Sequence, residues 1–172
     1  FLMDGDKNFY LMEVNTRVQV EHPVSETITG VDIVRKQIEV AAGEKLGFTQ
    51  KDIKRRGHAI EARINAEDPD QAFAPSAGPI DRFEAPGGPG VRLDTHAHAG
   101  YRVPPHYDSL VAKLIVHRPT REQAIATMDR ALREFTIGPI KTTVDLHRRL
   151  MRNGAFIRNE TDINFVERLL GK

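Results

Sequence analysis

With 172 residues, 40% of them hydrophobic and 28% charged, the chain has room for one ordinary domain, or for one small domain and a piece of another. A formal net charge of +1 excludes nucleic-acid or membrane-surface binding through gross electrostatics, and the absence of cysteine excludes disulfides, thiolate nucleophiles and cysteine-ligated zinc. No apolar run reaches the ~20 residues needed to span a bilayer and the N-terminus is not signal-like, so a cytoplasmic location is expected. The chain opens at Phe1 inside a strand-like run without an initiator methionine, which predicts the C-terminal part of something longer.

In chain order, "FLMDGDKNFYLME" reads as a hairpin, two apolar runs joined across Asp4-Gly5. Its second run leads into "LMEVNTRVQVEHP" (Leu11–Pro23), which reads as a strand stopping near Pro23. A helix is expected next, with Val31, Val34, Ile38 and Ala41/Ala42 at helical spacing and Gly43 as its stop. Residues 44–56 are polar and irregular, as a connection or boundary would be. "HAIEARINAED" then alternates, with Ile60, Ala62 and Ile64 on one face and Glu61, Arg63, Asn65 and Glu67 on the other. "PIDRFEA", "VRLDT" and "LVAKLIVH" read as further strands between Pro/Gly-rich turns, the pattern of an antiparallel sheet or barrel. Thr120 opens a helix as a capping box with Gln123, burying Ala124, Met128, Ala131, Leu132 and Phe135. Helices around 143–151 and 162–170 complete an α+β chain. The expected domains are 1–55, the end of one unit, and 56–172, a β-rich unit backed by helices.

Along an extended Leu11–Pro23 segment, one face carries Glu13, Asn15, Arg17, Gln19 and Glu21 in single file, just downstream of apolar Phe9 and Leu11. Glu13 and Asn15 offer oxygen, the ligand type Mg²⁺ and Mn²⁺ prefer, beside phosphate. Arg17 presents a planar fork to a small oxyanion, and Glu21 stands where a base could take a proton from it. A solvated strand face laced with ion pairs accounts for the same alternation. Periodicity does not choose between the two.

The motifs carry a resemblance that does. "LMEVNTRV" resembles the metal-binding strand of ATP-grasp ligases, carbamoyl-phosphate synthetases among them, and "QVEHPVSE" (Gln19–Glu26) narrows it to biotin carboxylases. "RGHAIEARINAEDP", "APGGPGVR", "YDSLVAKLI" and "IGPIKTTVDL" resemble that family in the right order over nearly the whole chain. The resemblance implies an ATP-grasp remnant at 1–55 followed by the family's C-terminal domain at 56–172. It implies an enzyme that phosphorylates bicarbonate with ATP to carboxyphosphate and carboxylates N1 of biotin, most like the subunit serving bacterial acetyl-CoA carboxylase in fatty acid synthesis. By motif match Glu13 and Asn15 fall on metal ligands, and Arg17 on the catalytic arginine that holds bicarbonate. Gln19 and the backbone of Val20 fall on bicarbonate contacts, Glu21 on the general base, and Arg63 on the residue that stabilises the biotin ureido oxygen. The implied cofactors are ATP, two Mg²⁺ or Mn²⁺ ions and biotin on its carrier protein. The implied partners are the biotin carboxyl carrier protein, a carboxyltransferase component and a second copy in a homodimer, with no nucleic acid or membrane.

The Gly-rich ATP lid, the phosphate-binding lysines and a further metal-binding glutamate are expected upstream of Phe1, so this piece alone is expected to be inactive. "APGGPG" is no phosphate loop, because its prolines remove backbone donors. His96 and His98 form a possible metal pair without a third ligand, or simply exposed strand histidines. His22 reads as orienting the turn after Glu21, Lys113 as a solvent-facing residue on an apolar strand, and "RRLMR" (148–152) as a solvated helix face. Arg92 and Asp108 match positions near the family's dimer contact, and a local salt bridge explains either equally well. Other readings are a non-catalytic piece serving dimerisation or carrier docking, the biotin carboxylase domain of a propionyl-CoA or pyruvate carboxylase, and a different ATP-grasp ligase.

Overall fold

The computed structural model describes residues 1–171. A minimal hairpin comes first: β1 (Leu2–Met3) pairs antiparallel with β2 (Phe9–Tyr10). The turn is wider than Asp4-Gly5, because the Asp4 carboxylate accepts from the backbone N–H groups of Asp6 and Asn8, the Asn8 amide and the Tyr10 hydroxyl. Helices α1 (His22–Thr29) and α2 (Ile33–Ala41) follow, where one helix was expected. Pro23 sits in the first turn of α1, where its missing N–H has no acceptor to lose. Gly30 ends α1 in the left-handed conformation, and Asp32 caps α2 by accepting from the Arg35 N–H at 2.9 Å. Proline here starts a helix instead of ending a strand.

The Leu11–Gln19 segment is not a strand. Its residues are exposed and have no paired neighbour, so side-chain alternation without a partner edge left it outside any sheet.

From residue 58 the expected strands form. β3 (His58–Asn65), β4 (Glu67–Asp68), β5 (Ala74–Pro75), β6 (Gly78–Glu84), β7 (Val91–Thr95), β8 (Arg102–Val103) and β9 (Leu110–Arg118) lead into α3 (Arg121–Glu134). β10 (Thr136–Pro139), α4 (Val144–Met151), α5 (Gly154–Ile157) and α6 (Phe165–Leu169) close the chain. One antiparallel sheet has the order β3-β9-β7 and a second the order β10-β6-β8. In the first, Ala62 pairs with Leu114 and Leu93 with Leu114 from the other side, so small and branched residues line one face. On that face lies α3, with Ala124, Met128, Ala131 and Leu132 all buried as their spacing predicts, and Thr120 caps it by accepting from Gln123 N–H.

The end of β9 is tightly enclosed. A Cβ on Gly57 or on Gly90 would lie 2.5 Å from the carbonyl oxygen of Arg118 or His117 respectively, and both glycines have positive φ. The "GGPG" run therefore serves close approach of two backbones.

Candidate active site

The other face of the β3-β9-β7 sheet is charged. Register places Arg63 opposite Lys113 and Lys113 opposite Asp94, with Glu61 and Arg92 both paired to Ile115. A period of two puts these side chains on one face, and α1 packs over it. Buried Glu26 of α1 accepts from Arg92 at 3.0 Å, meets His22 Nδ1 at 3.0 Å and accepts from the Ile33 N–H at 3.0 Å. Arg92 also grips Asp94 through two bonds of 2.8 Å. Burial pushes the Glu26 carboxyl up, but Arg92 and His22 outweigh it and hold it below the usual range.

Lys113 departs most from its expected place. Instead of facing solvent, its amine is largely buried, donates to the Val20 carbonyl at 3.1 Å, and lies 3.3 Å from His22 Nε2 and 3.7 Å from Asp94. It thereby ties both flanks of Glu21 to the strand position opposite Arg63. The amine bonds neither Glu21 nor Arg63 directly: it holds the residues on either side of Glu21, and Arg63 is its register neighbour on β3.

Glu61 was seen only as a member of a polar face. Both its carboxylate oxygens are shut off from solvent and have no hydrogen-bond partner among the described residues. Burial pushes its carboxyl up to about 7; Lys113 opposes the shift, Glu21 and Asp94 add to it, and Arg63 opposes it. A raised carboxyl pKa means the folded chain binds more protons than the unfolded one. Its stabilising contribution is therefore full below about pH 4.5 and is lost as pH rises through 7. His147, whose pKa is lowered by burial, works the other way: its contribution is present above about 6.5 and is lost as pH falls. Subtracting the stability of Glu61→Gln from that of the parent at each pH isolates the glutamate. We expect this difference to decline by about 1–2 kcal/mol between pH 5 and 8, allowing for solvent screening. A flat difference in denaturant titrations would refute the shift.

The remaining predicted residues are not gathered. Glu13, Asn15, Arg17 and Gln19 lie in the exposed segment, and Arg17 reaches only the Val18 carbonyl at 3.3 Å. No cluster of three or more acidic, histidine or cysteine side chains suited to a metal occurs among the described residues. Glu13 and Asn15 nevertheless fit as two oxygen donors to a Mg²⁺ ion whose other ligands are phosphate oxygens. His96 and His98 are exposed, as expected, but lie beyond the end of β7, edge-on to the Tyr101 ring, and not within a strand. Arg92 makes the salt bridges described above, and Asp108 accepts from the Leu110 N–H. The 148–152 arginines pair on the surface with Asp145, Asp70 and Asp129. No helix among the described residues is long and apolar enough to cross a membrane.

Two residues that sequence reasoning passed over, Thr143 and His147, both bond to the backbone carbonyl of Arg63. Lys113 and Glu61 did carry a signal: each is a charged residue inside a run whose neighbours are small or apolar.

The family model for the biotin carboxylase C-terminal domain matches residues 61–168, and that for the ATP-binding domain of the carbamoyl-phosphate synthase L chain matches residues 1–49. The biotin carboxylase of Allochromatium vinosum is 56% identical over 163 residues, covering 95% of this chain and 36% of that protein. A pyruvate carboxylase component from Methanothermobacter thermautotrophicus is 54% identical over 164 residues, covering 95% of this chain and 33% of its own. The biotin carboxylase domain dimer of Hydrogenobacter thermophilus 2-oxoglutarate carboxylase, solved with MgADP and bicarbonate, superposes with a TM-score of 0.94. It is 46% identical, over 97% of this chain and 38% of that one. The chain thus spans little more than a third of the length of these relatives. An α+β fold with two three-stranded antiparallel sheets, the ordered motifs and these matches establish that the chain belongs to the biotin carboxylase C-terminal domain family.

Proposed function

We propose that this chain supplies the bicarbonate- and biotin-facing part of an ATP-dependent biotin carboxylase. The observation that carries the reading is the Lys113 amine, which holds the Val20 carbonyl and the His22 ring, on either side of Glu21, at the strand position facing Arg63. A base and a cation from distant parts of the sequence thus border one charged layer. In this reading Glu21 takes the proton of bicarbonate, and Arg17, Gln19 and the Val20 N–H hold the anion. Arg63 stabilises negative charge on the biotin ureido oxygen as N1 becomes the nucleophile. Glu13 and Asn15 hold a Mg²⁺ or Mn²⁺ ion, which when bound offsets the charge of the ATP phosphates. A second ion, the rest of the ATP site and the lid belong to residues outside this chain.

The proposal includes a boundary near residue 55, between an ATP-grasp segment and the C-terminal domain. It also includes biotin on a carrier protein, a carboxyltransferase partner, a homodimer and a cytoplasmic setting. Relatives of similar identity are named for biotin carboxylase and for pyruvate carboxylase. The reading is accordingly limited to the shared first half-reaction, with acetyl-CoA carboxylase and pyruvate carboxylase as alternative settings for the second.

The test is made in the full-length protein. Glu13→Gln should weaken Mg²⁺-dependent turnover by at least tenfold and leave the unfolding midpoint close to the parent's, because Glu13 is exposed and makes no structural bond. Bicarbonate-dependent ATP cleavage is followed across a Mg²⁺ titration. Parent-like turnover with parent-like Mg²⁺ dependence would sink the metal assignment.

A further inference from the structure

β3 is an edge strand, paired on one side with β9 and on the other with no strand. Its outer edge is not left bare at Arg63. The Thr143 hydroxyl donates to the Arg63 carbonyl at 2.9 Å and accepts from the Asn65 N–H at 3.0 Å, while the Thr143 N–H donates to the Asn65 carbonyl at 3.0 Å. His147, one turn along α4, reaches the same Arg63 carbonyl through Nε2 at 2.9 Å. A carbonyl only accepts, so Nε2 carries the proton, and burial, which lowers the pKa of His147, keeps the ring in that neutral form.

Thr143 immediately precedes α4, the position where a threonine normally caps its own helix. Here it makes no such cap; its hydroxyl is turned to β3 instead. The residue is buried, and the diversion leaves helix N–H groups without the partner it would have supplied. The clamp also falls where the β3–β9 register shifts, between Ile64 and Asn65, just where ladder bonds alone would hold the strand least firmly. The Arg63 side chain itself is exposed and has no partner among the described residues. Its backbone is fixed from both edges and its guanidinium is left free.

We propose that Thr143 and His147 are positioning residues that set the peptide plane of Arg63, and through it the aim of the guanidinium at biotin. The proposal rests on the reading of Arg63 given above. A misplacement on the order of 1 Å in a charge-stabilising group can cost ~10²-fold in rate, so partial loss of the clamp should cost about tenfold.

The experiment uses the full-length protein and compares biotin carboxylation with bicarbonate-dependent ATP cleavage in the absence of biotin. Thr143→Val, which keeps the shape but removes both bonds of the hydroxyl, should lower kcat/KM for biotin about tenfold, with biotin-free ATP cleavage within about twofold of the parent. Thr143→Ser should restore the loss. His147→Gln, which can still donate from its amide, should resemble the parent, and His147→Leu should fall several-fold in the biotin reaction only. If Thr143→Val does not fold, the His147 pair makes the same comparison at a less buried position. Equal loss of both activities, or indistinguishable hydroxyl and non-hydroxyl variants, would overturn the clamp. Parent-like biotin carboxylation by Arg63→Gln would instead overturn the reading of Arg63, and the clamp's purpose with it.

Discussion

Arg63→Gln in the full-length protein is expected to lose biotin carboxylation by ~10²–10³, the usual cost of removing one stabiliser of a developing oxyanion. Bicarbonate-dependent ATP cleavage without biotin should be largely retained if, as proposed, Arg63 acts after bicarbonate is activated. Glu21→Gln should lower both activities, since bicarbonate keeps its proton in either assay. ADP release with and without free biotin separates the two variants. A matching loss of both activities in Arg63→Gln would assign that residue to ATP or bicarbonate.

The second large effect concerns stability. Lys113→Met keeps the length of the side chain and removes a mostly buried cation from Val20, His22 and Asp94. Asp94 retains Arg92, but Glu61 loses the counter-charge that most opposes its upward shift. Removing one member of a buried charged set typically costs ~3–5 kcal/mol, and the partial exposure of this set makes about 2–4 kcal/mol the expected loss. The surface pair of Arg158 and Glu160 gives the comparison: both partners are exposed, and Arg158→Met should leave the unfolding midpoint close to the parent's. Chemical denaturation of both variants decides the matter, and equal losses would show that Lys113 is no anchor. The pH profile gives a second check. Without Lys113 the Glu61 carboxyl should titrate higher, moving the loss of stability towards more alkaline pH.

The sequence was most legible where one rule decided an element. Thr120 and the 124/128/131/132 spacing located α3 and its buried face, and strict alternation located β3 with Ala62 and Ile64 inward. It was least legible where a pattern had two physical meanings. The alternation from Glu13 to Glu21 looks like a strand, yet a strand also needs a neighbour, and no side-chain period reports one. Pro23 stops a strand and starts a helix with equal ease. The motifs single out Arg63 and Glu21 by resemblance, but Lys113, whose amine holds both neighbours of Glu21 from the strand beside Arg63, lies some ninety residues downstream of Glu21 and in mid-strand. Local spacing holds no information about such a contact. The Thr143 hydroxyl was hidden for a related reason: a threonine before a helix reads as a cap, and only the fold reveals that it bonds elsewhere.

The contacts of Lys113 with His22 and Asp94, of Glu26 with His22 and Arg92, and of Arg92 with Asp94 form a closed circuit running from α1 through β7 to β9 and back. A circuit has no free end. Tilting α1 would stretch several charged contacts at once, so Glu21 and Arg63 ride on what is mechanically a single block. If Glu21 and Arg63 act as proposed, reactants enter such a block without parting the base from the cation. The compliance has to come from elements attached to it, and among the described residues the exposed, unpaired Leu11–Gln19 ribbon, with Glu13, Asn15, Arg17 and Gln19 along it, has the fewest contacts to hold it. On the proposed reading, the metal-facing ribbon is thus the yielding piece and the block that carries Glu21 and Arg63 is the anvil.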